Sequence, residues 1–333
     1  MKLVSKPSNI ALIKYMGKIA PPPGMEEAFA AVKNLPTNSS FSWTLESLRT
    51  FVDLEQVGEP GEFPDQWQPL KAEFILPFEM SDKGRNRYLN FWNSLKEEFQ
   101  IKGSFHLRSG NNFPSDCGLA SSASSFAALT QSAYEEGRRQ NPKLEKSTEE
   151  LAELSRRGSG SSCRSFITPW CLWNAKGVEK VELPYKKLSH WAVVISDAKK
   201  EVSSSDAHKI VSTSLLFQNR PQRAEERLHQ LLKSLQAGAW GDAYEHVWEE
   251  FMDMHELFHT SKPAFSYINR DASKALEKIK DIWKLKKDSP LVTMDAGPNI
   301  HLMFHEEQRK LEDVMMSDLQ RDFKCIASKD FHV

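Results

Sequence analysis

Residues Pro114-Ser-Asp-Cys-Gly-Leu-Ala-Ser-Ser-Ala123 make a turn rich in small and hydroxyl side chains, and the Ala/Ser-rich stretch Ser124 to Tyr134 predicts a helix opening directly from it. Such a junction suits an anion. Gly118 lets main-chain N–H groups approach a phosphate, Ser121 and Ser122 add hydroxyls, and the first helical turn supplies unpaired donors and the positive end of the helix dipole. The chemistry this implies is the cradling of a nucleotide phosphate. No Gly-Lys-Ser/Thr follows the glycine, and no Gly-x-Gly-x-x-Gly follows a strand, so neither the P-loop nor the dinucleotide fingerprint describes it. Composition alone admits a plainer reading, a packed Ser/Ala helix after a loop.

The elements around this turn are a mixture of strands and helices. Asn9 to Tyr15 and Phe41 to Leu54 read as strands, with the Pro/Gly/Ala-rich Pro21 to Val32 between them as a surface loop or short helix. Arg85 to Phe99 suits a helix with Tyr88, Leu89, Trp92, Leu95 and Phe99 on one face, and Ser104 to Leu107 suits a strand. Ser147-Thr-Glu-Glu150 fits a capping box for a helix to about Arg156 that ends at Gly158, after which a second Gly/Ser turn runs to Arg164. Ala192 to Ser196 opens a second half of amphipathic stretches, Pro221 to Leu235, Trp240 to Leu257 and Ala272 to Lys286. The strand Leu291 to Met294, a helix near Glu306 to Phe323 and a last short strand follow. This mixed order indicates an α+β fold without internal repeats.

Bulk properties exclude several classes. A length of 333 residues supports one large or two intimate domains. A formal net charge of −1, from 44 basic and 45 acidic side chains, argues against a nucleic-acid binder driven by counterion release. Cys117, Cys163, Cys171 and Cys325 show no C-x-x-C pairing and are expected as reduced thiols in a cytoplasmic protein. Apolar runs such as Trp191 to Ile195 are too short for a bilayer. His255, His259, His301 and His305 have i, i+4 spacing, yet no catalytic context for a metal accompanies them.

The segment Pro114-x-x-x-Gly118-Leu119-x-Ser121-Ser122-Ala123 resembles the phosphate motif of the GHMP kinase superfamily. Four further segments narrow the similarity to the diphosphomevalonate decarboxylase family: Asn9-Ile-Ala-Leu-Ile-Lys-Tyr-Met-Gly-Lys18, Asn34-Leu-Pro-Thr-Asn-Ser-Ser40, Gly158-Ser-Gly-Ser-Ser-Cys-Arg-Ser165 and Met294-Asp-Ala-Gly-Pro-Asn299. They stand in the family's order along the chain, which makes the set specific where one segment would be weak.

The resemblance implies a GHMP kinase fold: a ribosomal-protein-like N-terminal half (1–187) with the ATP phosphate loop, and a ferredoxin-like C-terminal half (188–333), around a deep cleft. It implies ATP-dependent decarboxylation of mevalonate 5-diphosphate to isopentenyl diphosphate, with Mg2+, by a cytoplasmic homodimer that takes small molecules and neither nucleic acid nor membrane.

By the same resemblance, Asp295 sits beside the substrate C3 hydroxyl as base or orienting acceptor, Arg164 grips the substrate carboxylate, and Lys14 lies near the reacting hydroxyl and the transferred phosphate. Read without the family, Asp295 starts a turn, Arg164 is a surface arginine and Lys14 is an edge lysine that discourages strand pairing. Tyr15, Lys18, Ser203 and Ser204 match positions that hold the 5-diphosphate, with Arg85 or Arg87 adding charge. Asn112, Pro114, Gly118, Leu119, Ala120, Ser121, Ser122, Ser159 and Ser161 line the nucleotide side, and Ser121 is the candidate protein ligand for a magnesium held mostly by ATP phosphates.

Four features depart from the family. Met16 stands where tryptophan is common, Asp116 and Cys117 occupy small-residue positions, Pro21 to Val32 is longer than usual, and Thr168-Pro169 replaces a Gly-Gly. They leave Asp295, Lys14 and Arg164 in place, which together favour full decarboxylation, but leave open a relative acting on mevalonate 5-phosphate or a C3 kinase without decarboxylation. A silent nucleotide- or RNA-binding protein on the same fold is the remoter alternative, against which the near-neutral charge and the intact trio speak.

Overall fold

The computed structural model describes residues 3–19, 35–114, 119–196 and 201–331. Strand β1 (Val4–Ile13) is buried along nearly its whole length, because both its faces are covered. It lies antiparallel to the long β2 (Ser40–Gly58), with a break in register after Pro7, whose missing N–H cannot join a ladder. β2 organises the first sheet. On its other edge its first residues pair with β5 (Trp170–Asn174) and its later ones with β4 (Ser104–Asn111), flanked by β6 (Gly177–Lys180) and β3 (Gln66–Pro69). The second sheet has the order β10 (Lys324–Ala327), β7 (Leu188–Val194), β9 (Ile300–His305), β8 (Leu291–Met294), antiparallel throughout.

Helices α1 (Asp82–Phe99), α2 (Ser121–Gln140) and α3 (Thr148–Gly158) belong to the first half. α1 is capped by Ser81, and α3 carries the reciprocal Ser147/Glu150 capping box that its sequence predicts. The Gly/Ser segment after α3 tightens into a 3-10 helix, Gly160–Phe166, because the Ser162 hydroxyl and amide both bond back to the Ser159 carbonyl. The second half holds α4 (Ser204–Ile210), α5 (Arg220–Gln236), α6 (Trp240–Thr260), α7 (Arg270–Lys286) and α8 (Arg309–Leu319). The helix expected over Glu306 to Phe323 is therefore shorter, opening with one 3-10 turn and stopping at Leu319 so that the chain can enter β10. Strands β3, β5, β6 and β9 and helix α4, each 4 to 7 residues long, are additions to the predicted set.

The largest apolar cluster joins Ile10, Leu12, Phe41 and Trp43 of the first sheet to Leu228, Val247, Phe251, Ile300 and Leu302 of the second half. A second cluster, with Trp92, Phe105, Leu107, Phe126, Leu129 and Leu151, lies between the first sheet and α1–α3. Each fully buried large apolar side chain contributes about 1.5–3 kcal/mol, so this double coverage fixes β1 firmly. Its C-terminal end is carried to the end of β8, where Thr293 Oγ1 donates to the Ala11 carbonyl at 3.4 Å. Among the described residues, no helix is long and apolar enough to cross a membrane.

Candidate active site

Lys14 is the first residue after β1 and Asp295 the first after β8. Their side chains meet, Lys14 Nζ lying 2.6 Å from Asp295 Oδ1. The lysine is 3% exposed and the aspartate 34%, so the carboxylate faces the open side of the pair. Burial pulls the Lys14 ammonium below its ordinary pKa, Asp295 opposes this most strongly, Arg164 adds to the fall and Glu250 opposes it. The Asp295 turn is closed by Gly297 N–H on the Asp295 carbonyl at 2.7 Å, and His255 Nε2 donates to that same carbonyl at 3.2 Å.

Arg164, in the 3-10 helix, is 4% exposed. Its Nε donates to Asn9 Oδ1 at 3.2 Å and its Nη1 to Ser40 Oγ at 2.9 Å, with the guanidinium 5.9 Å above the Trp173 ring. Asn9 is held in turn by the Ser161 carbonyl at 3.2 Å and by Ser165 Oγ at 2.8 Å. Among the described residues no carboxylate pairs with this buried guanidinium. A buried cation with only neutral partners is costly unless an anion arrives from outside.

Tyr15 stands edge-on to Trp173 at 5.1 Å and lies 4.5 Å from the His208 ring. Gly160 is required here, since a Cβ on it would come within 2.5 Å of the Tyr15 hydroxyl. Although Lys18 is exposed as a whole, partial desolvation first, then the Arg87 and Lys209 cations, lower its pKa. These three cations form a positive mouth beside Tyr15. Arg87 donates to the Gly158 carbonyl at 2.6 Å and stacks 4.8 Å over Phe126. Arg85, two residues earlier and so on another face of α1, sits 5.7 Å over Trp67 and reaches the Met80 carbonyl at 3.5 Å. Ser203 caps α4 and is bonded to Asp206, while Ser204 is its exposed first residue.

At the turn expected to cradle a phosphate, Ser8 Oγ donates to the Leu119 carbonyl at 2.6 Å, and Ala120 adopts a left-handed conformation, φ 53°, from which α2 starts at Ser121. The first turn of α2 carries no acidic residue, which keeps its dipole end positive. Ser121, Ser122 and Ser125 border a cavity of about 170 Å³ with Arg87, Tyr88 and Asn111. Pro114 lies at the edge of the described segment, and Gly118, Asp116, Cys117 and the stretch Pro21 to Val32 lie outside it. The Asn112 amide is committed to the Arg49 N–H and the Ser47 carbonyl, both at 2.8 Å, whereas Asn111 lines the cavity. Ser159 is the buried cap residue after α3, and Ser161 contributes its carbonyl to Asn9.

No group of three His, Cys, Asp or Glu that could hold a metal occurs among the described residues. His259 bonds Ser266, and His301 bonds His190 in the second sheet, well apart in role from the histidine beside Asp295. Cys163, Cys171 and Cys325 are free.

Several residues around Lys14 escaped the sequence reading. Glu250 accepts the Lys14 N–H, Arg220 and Asn38 donate to the Lys14 carbonyl, and His255 and His208 hold Asp295 and Gly17. A signal for two of them was present: Glu250 and His255 fall within the buried stripe of α6 that includes Val247, Phe251, Met254 and Phe258. A carboxylate and an imidazole on an apolar helical face demand partners.

A family model for the diphosphomevalonate decarboxylase-like N-terminal domain matches residues 6–182, and one for the mevalonate 5-diphosphate decarboxylase C-terminal domain matches residues 191–332. The diphosphomevalonate decarboxylase of Debaryomyces hansenii is 30% identical, over 90% of this chain and 78% of that protein. A solved mevalonate diphosphate decarboxylase from Legionella pneumophila is 42% identical, covers 97% of this chain and 99% of its own, and superposes with a TM-score of 0.88. The Enterococcus faecalis mevalonate diphosphate decarboxylase, solved in work on mevalonate diphosphate mediated ATP binding, is 24% identical with a TM-score of 0.80 over 98% of this chain and 97% of that one, and shares the fold.

Proposed function

The chain belongs to the diphosphomevalonate decarboxylase family and is an enzyme of that activity, the ATP-dependent decarboxylation of mevalonate 5-diphosphate to isopentenyl diphosphate; on that premise we propose that Lys14, Asp295 and Arg164 carry the reaction. The observation that supports this reading best is the buried Arg164 guanidinium, which lacks a carboxylate partner among the described residues and lies close enough to the Lys14–Asp295 pair to act on the Lys14 charge. Two buried cations and one carboxylate leave room for an incoming hydroxy acid.

In this reading the substrate carboxylate takes the Arg164 N–H groups not used by Asn9 and Ser40. The C3 hydroxyl enters beside Asp295, which orients it and accepts its proton as the oxygen attacks the γ-phosphorus of ATP and the bond to ADP breaks. Lys14 offsets the charge that gathers on the attacking oxygen and the transferred phosphoryl group. The C3–O bond then opens, inorganic phosphate leaves, the C1–C2 bonding pair becomes the new C2=C3 double bond, and C1 departs as carbon dioxide. Phosphorylation is needed because a tertiary hydroxyl is a poor leaving group.

The 5-diphosphate occupies the positive mouth of Tyr15, Lys18, Arg87 and Lys209, with Ser203 and Ser204 approaching from α4. ATP lies at the N-terminus of α2, its phosphates against Ser121 and Ser122. The donor set fits a magnesium borne mainly by phosphates, with the Ser121 hydroxyl as protein ligand, and such an ion would supply charge neutralisation at the β- and γ-phosphates. A homodimer and a cytoplasmic location complete the reading; sedimentation velocity measures the first.

The test is purified protein with ATP, magnesium and labelled mevalonate 5-diphosphate, in parallel with mevalonate 5-phosphate and mevalonate. One carbon dioxide per ADP with the diphosphate supports the assignment. Faster decarboxylation of the monophosphate, or ADP without carbon dioxide, overturns it.

A further inference from the structure

Lys14 leaves the β1 ladder, so its backbone N–H and C=O need partners of their own. The N–H donates to Glu250 Oε1 at 2.9 Å, and the C=O accepts from Arg220 Nη2 at 3.2 Å and Asn38 Nδ2 at 3.1 Å. Glu250 and Arg220 are each 0% exposed and are bonded to each other, Arg220 Nη1 meeting Glu250 Oε2 at 3.2 Å and Nη2 bonding Oε1. A closed ring therefore runs from the Lys14 N–H through the carboxylate and the guanidinium to the Lys14 carbonyl. It extends outward, Arg227 Nη1 reaching Glu250 Oε2 at 3.1 Å and Asp253 Oδ2 at 3.0 Å, with Arg223 on Asp253 at 2.8 Å.

A fully buried ion pair is weak evidence for stability, since apolar replacements of similar volume are often as good or better. This one sits where a lysine must point at one carboxylate oxygen, and rotation of its peptide would swing the ammonium away from Asp295. Resting on the assignment of Lys14 and Asp295 above, we propose that the Arg220–Glu250 pair is the positioning device of the catalytic lysine, holding its peptide from both sides so that the ammonium meets Asp295 and the reacting oxygen. The charged groups facing Lys14 are Asp295, Arg164, Glu250 and Arg220, with the His255 imidazole close by. Once Asp295 has taken a proton, Glu250 is the carboxylate among these that still favours the charged lysine.

The isosteric Glu250→Gln variant tests this. The expected result is a kcat lower by about 10²-fold, in line with a small misplacement of a reacting group, with KM for both substrates little changed. The basic limb of the kcat/KM profile should also move to lower pH, because one carboxylate supporting the Lys14 charge is gone. Wild-type kcat with an unmoved limb, or a rate loss that merely follows the folded fraction seen by thermal unfolding, overturns the proposal. If that variant does not fold, the Arg220→Gln/Glu250→Gln pair replaces both charges with amides, and wild-type turnover in it is equally fatal. Lys14→Met and Asp295→Asn in the same assay separate the two levels: activity in them sinks the catalytic assignment, whereas inactivity in them beside a fully active E250Q sinks only the positioning role.

Discussion

His208 Nδ1 accepts the backbone N–H of Gly17 at 3.0 Å, which ties helix α4 of the second half to the segment carrying Tyr15 and Lys18. An Nδ1 that accepts places the ring proton on Nε2, and burial first, then the Lys18 charge, pushes the histidine pKa down to about 3. The imidazole is therefore neutral while it packs on Tyr15. Phenylalanine in its place keeps a ring but orphans the Gly17 donor, a loss of about 1 kcal/mol or more. His208→Phe should raise KM for mevalonate 5-diphosphate about tenfold with kcat nearly constant. Unchanged KM would remove His208 from the substrate subsite.

The Lys14–Asp295 pair sets the second expectation. Lys14→Met or Asp295→Asn should lower kcat by about 10³-fold, the combined scale of a lost proton acceptor or charge stabiliser. Because burial holds the Lys14 ammonium below the 10.5 of a free lysine, the basic limb of the wild-type kcat/KM profile should fall below that pH. A profile flat through pH 10 would contradict the assignment of that limb to Lys14.

Strand-end motifs made part of this site legible in the sequence. Lys14 and Asp295 each follow an apolar run, and the capping box at Ser147 and Glu150 fixed the start of α3. What closes around Lys14 was harder to see, because Glu250 and Arg220 act through the backbone of a residue more than 200 positions away. Periodicity identifies α6 as amphipathic but does not say which strand end its buried carboxylate will meet. Helix α4 spans 7 residues, too few to show a period, so His208 carried no signal of its own. Asn112, the expected lining residue, turns instead to Arg49 and Ser47, and Asn111, the last residue of β4, is the one at the cavity.

Arg164 yields a prediction in which stability and activity move apart. Its guanidinium is buried against Asn9, Ser40 and Trp173, with no carboxylate partner among the described residues. Removing an uncompensated buried charge relieves desolvation cost while leaving an amide to bond the same neighbours. Arg164→Gln should keep or raise the thermal midpoint of the ligand-free protein and lower kcat/KM by about 10³-fold. Differential scanning calorimetry beside steady-state kinetics checks both; a marked drop in midpoint would mean that the guanidinium serves the fold instead.

Acid sensitivity follows from the buried imidazoles. His190, on β7, bonds Ser328 through Nδ1 and His301 through Nε2, the latter at 3.0 Å, and burial first, then His301, hold its pKa well below the ordinary 6.5. His255 is likewise pushed down to about 3, by burial and then by the Lys14 charge, and His208 to the same level. In each case the folded state resists a proton that the unfolded chain accepts below pH 6.5. The unfolded state then binds more protons, so stability is complete above that pH and declines as pH falls from about 6.5 toward 3, approaching about 1.4 kcal/mol per pH unit for each histidine. Urea midpoints at pH 7.5, 6 and 5 should fall in that order, in a window above the range where carboxylates titrate. His190→Gln should flatten the slope by about one histidine's share, and an unchanged slope in that variant would show that the buried pair is not its source.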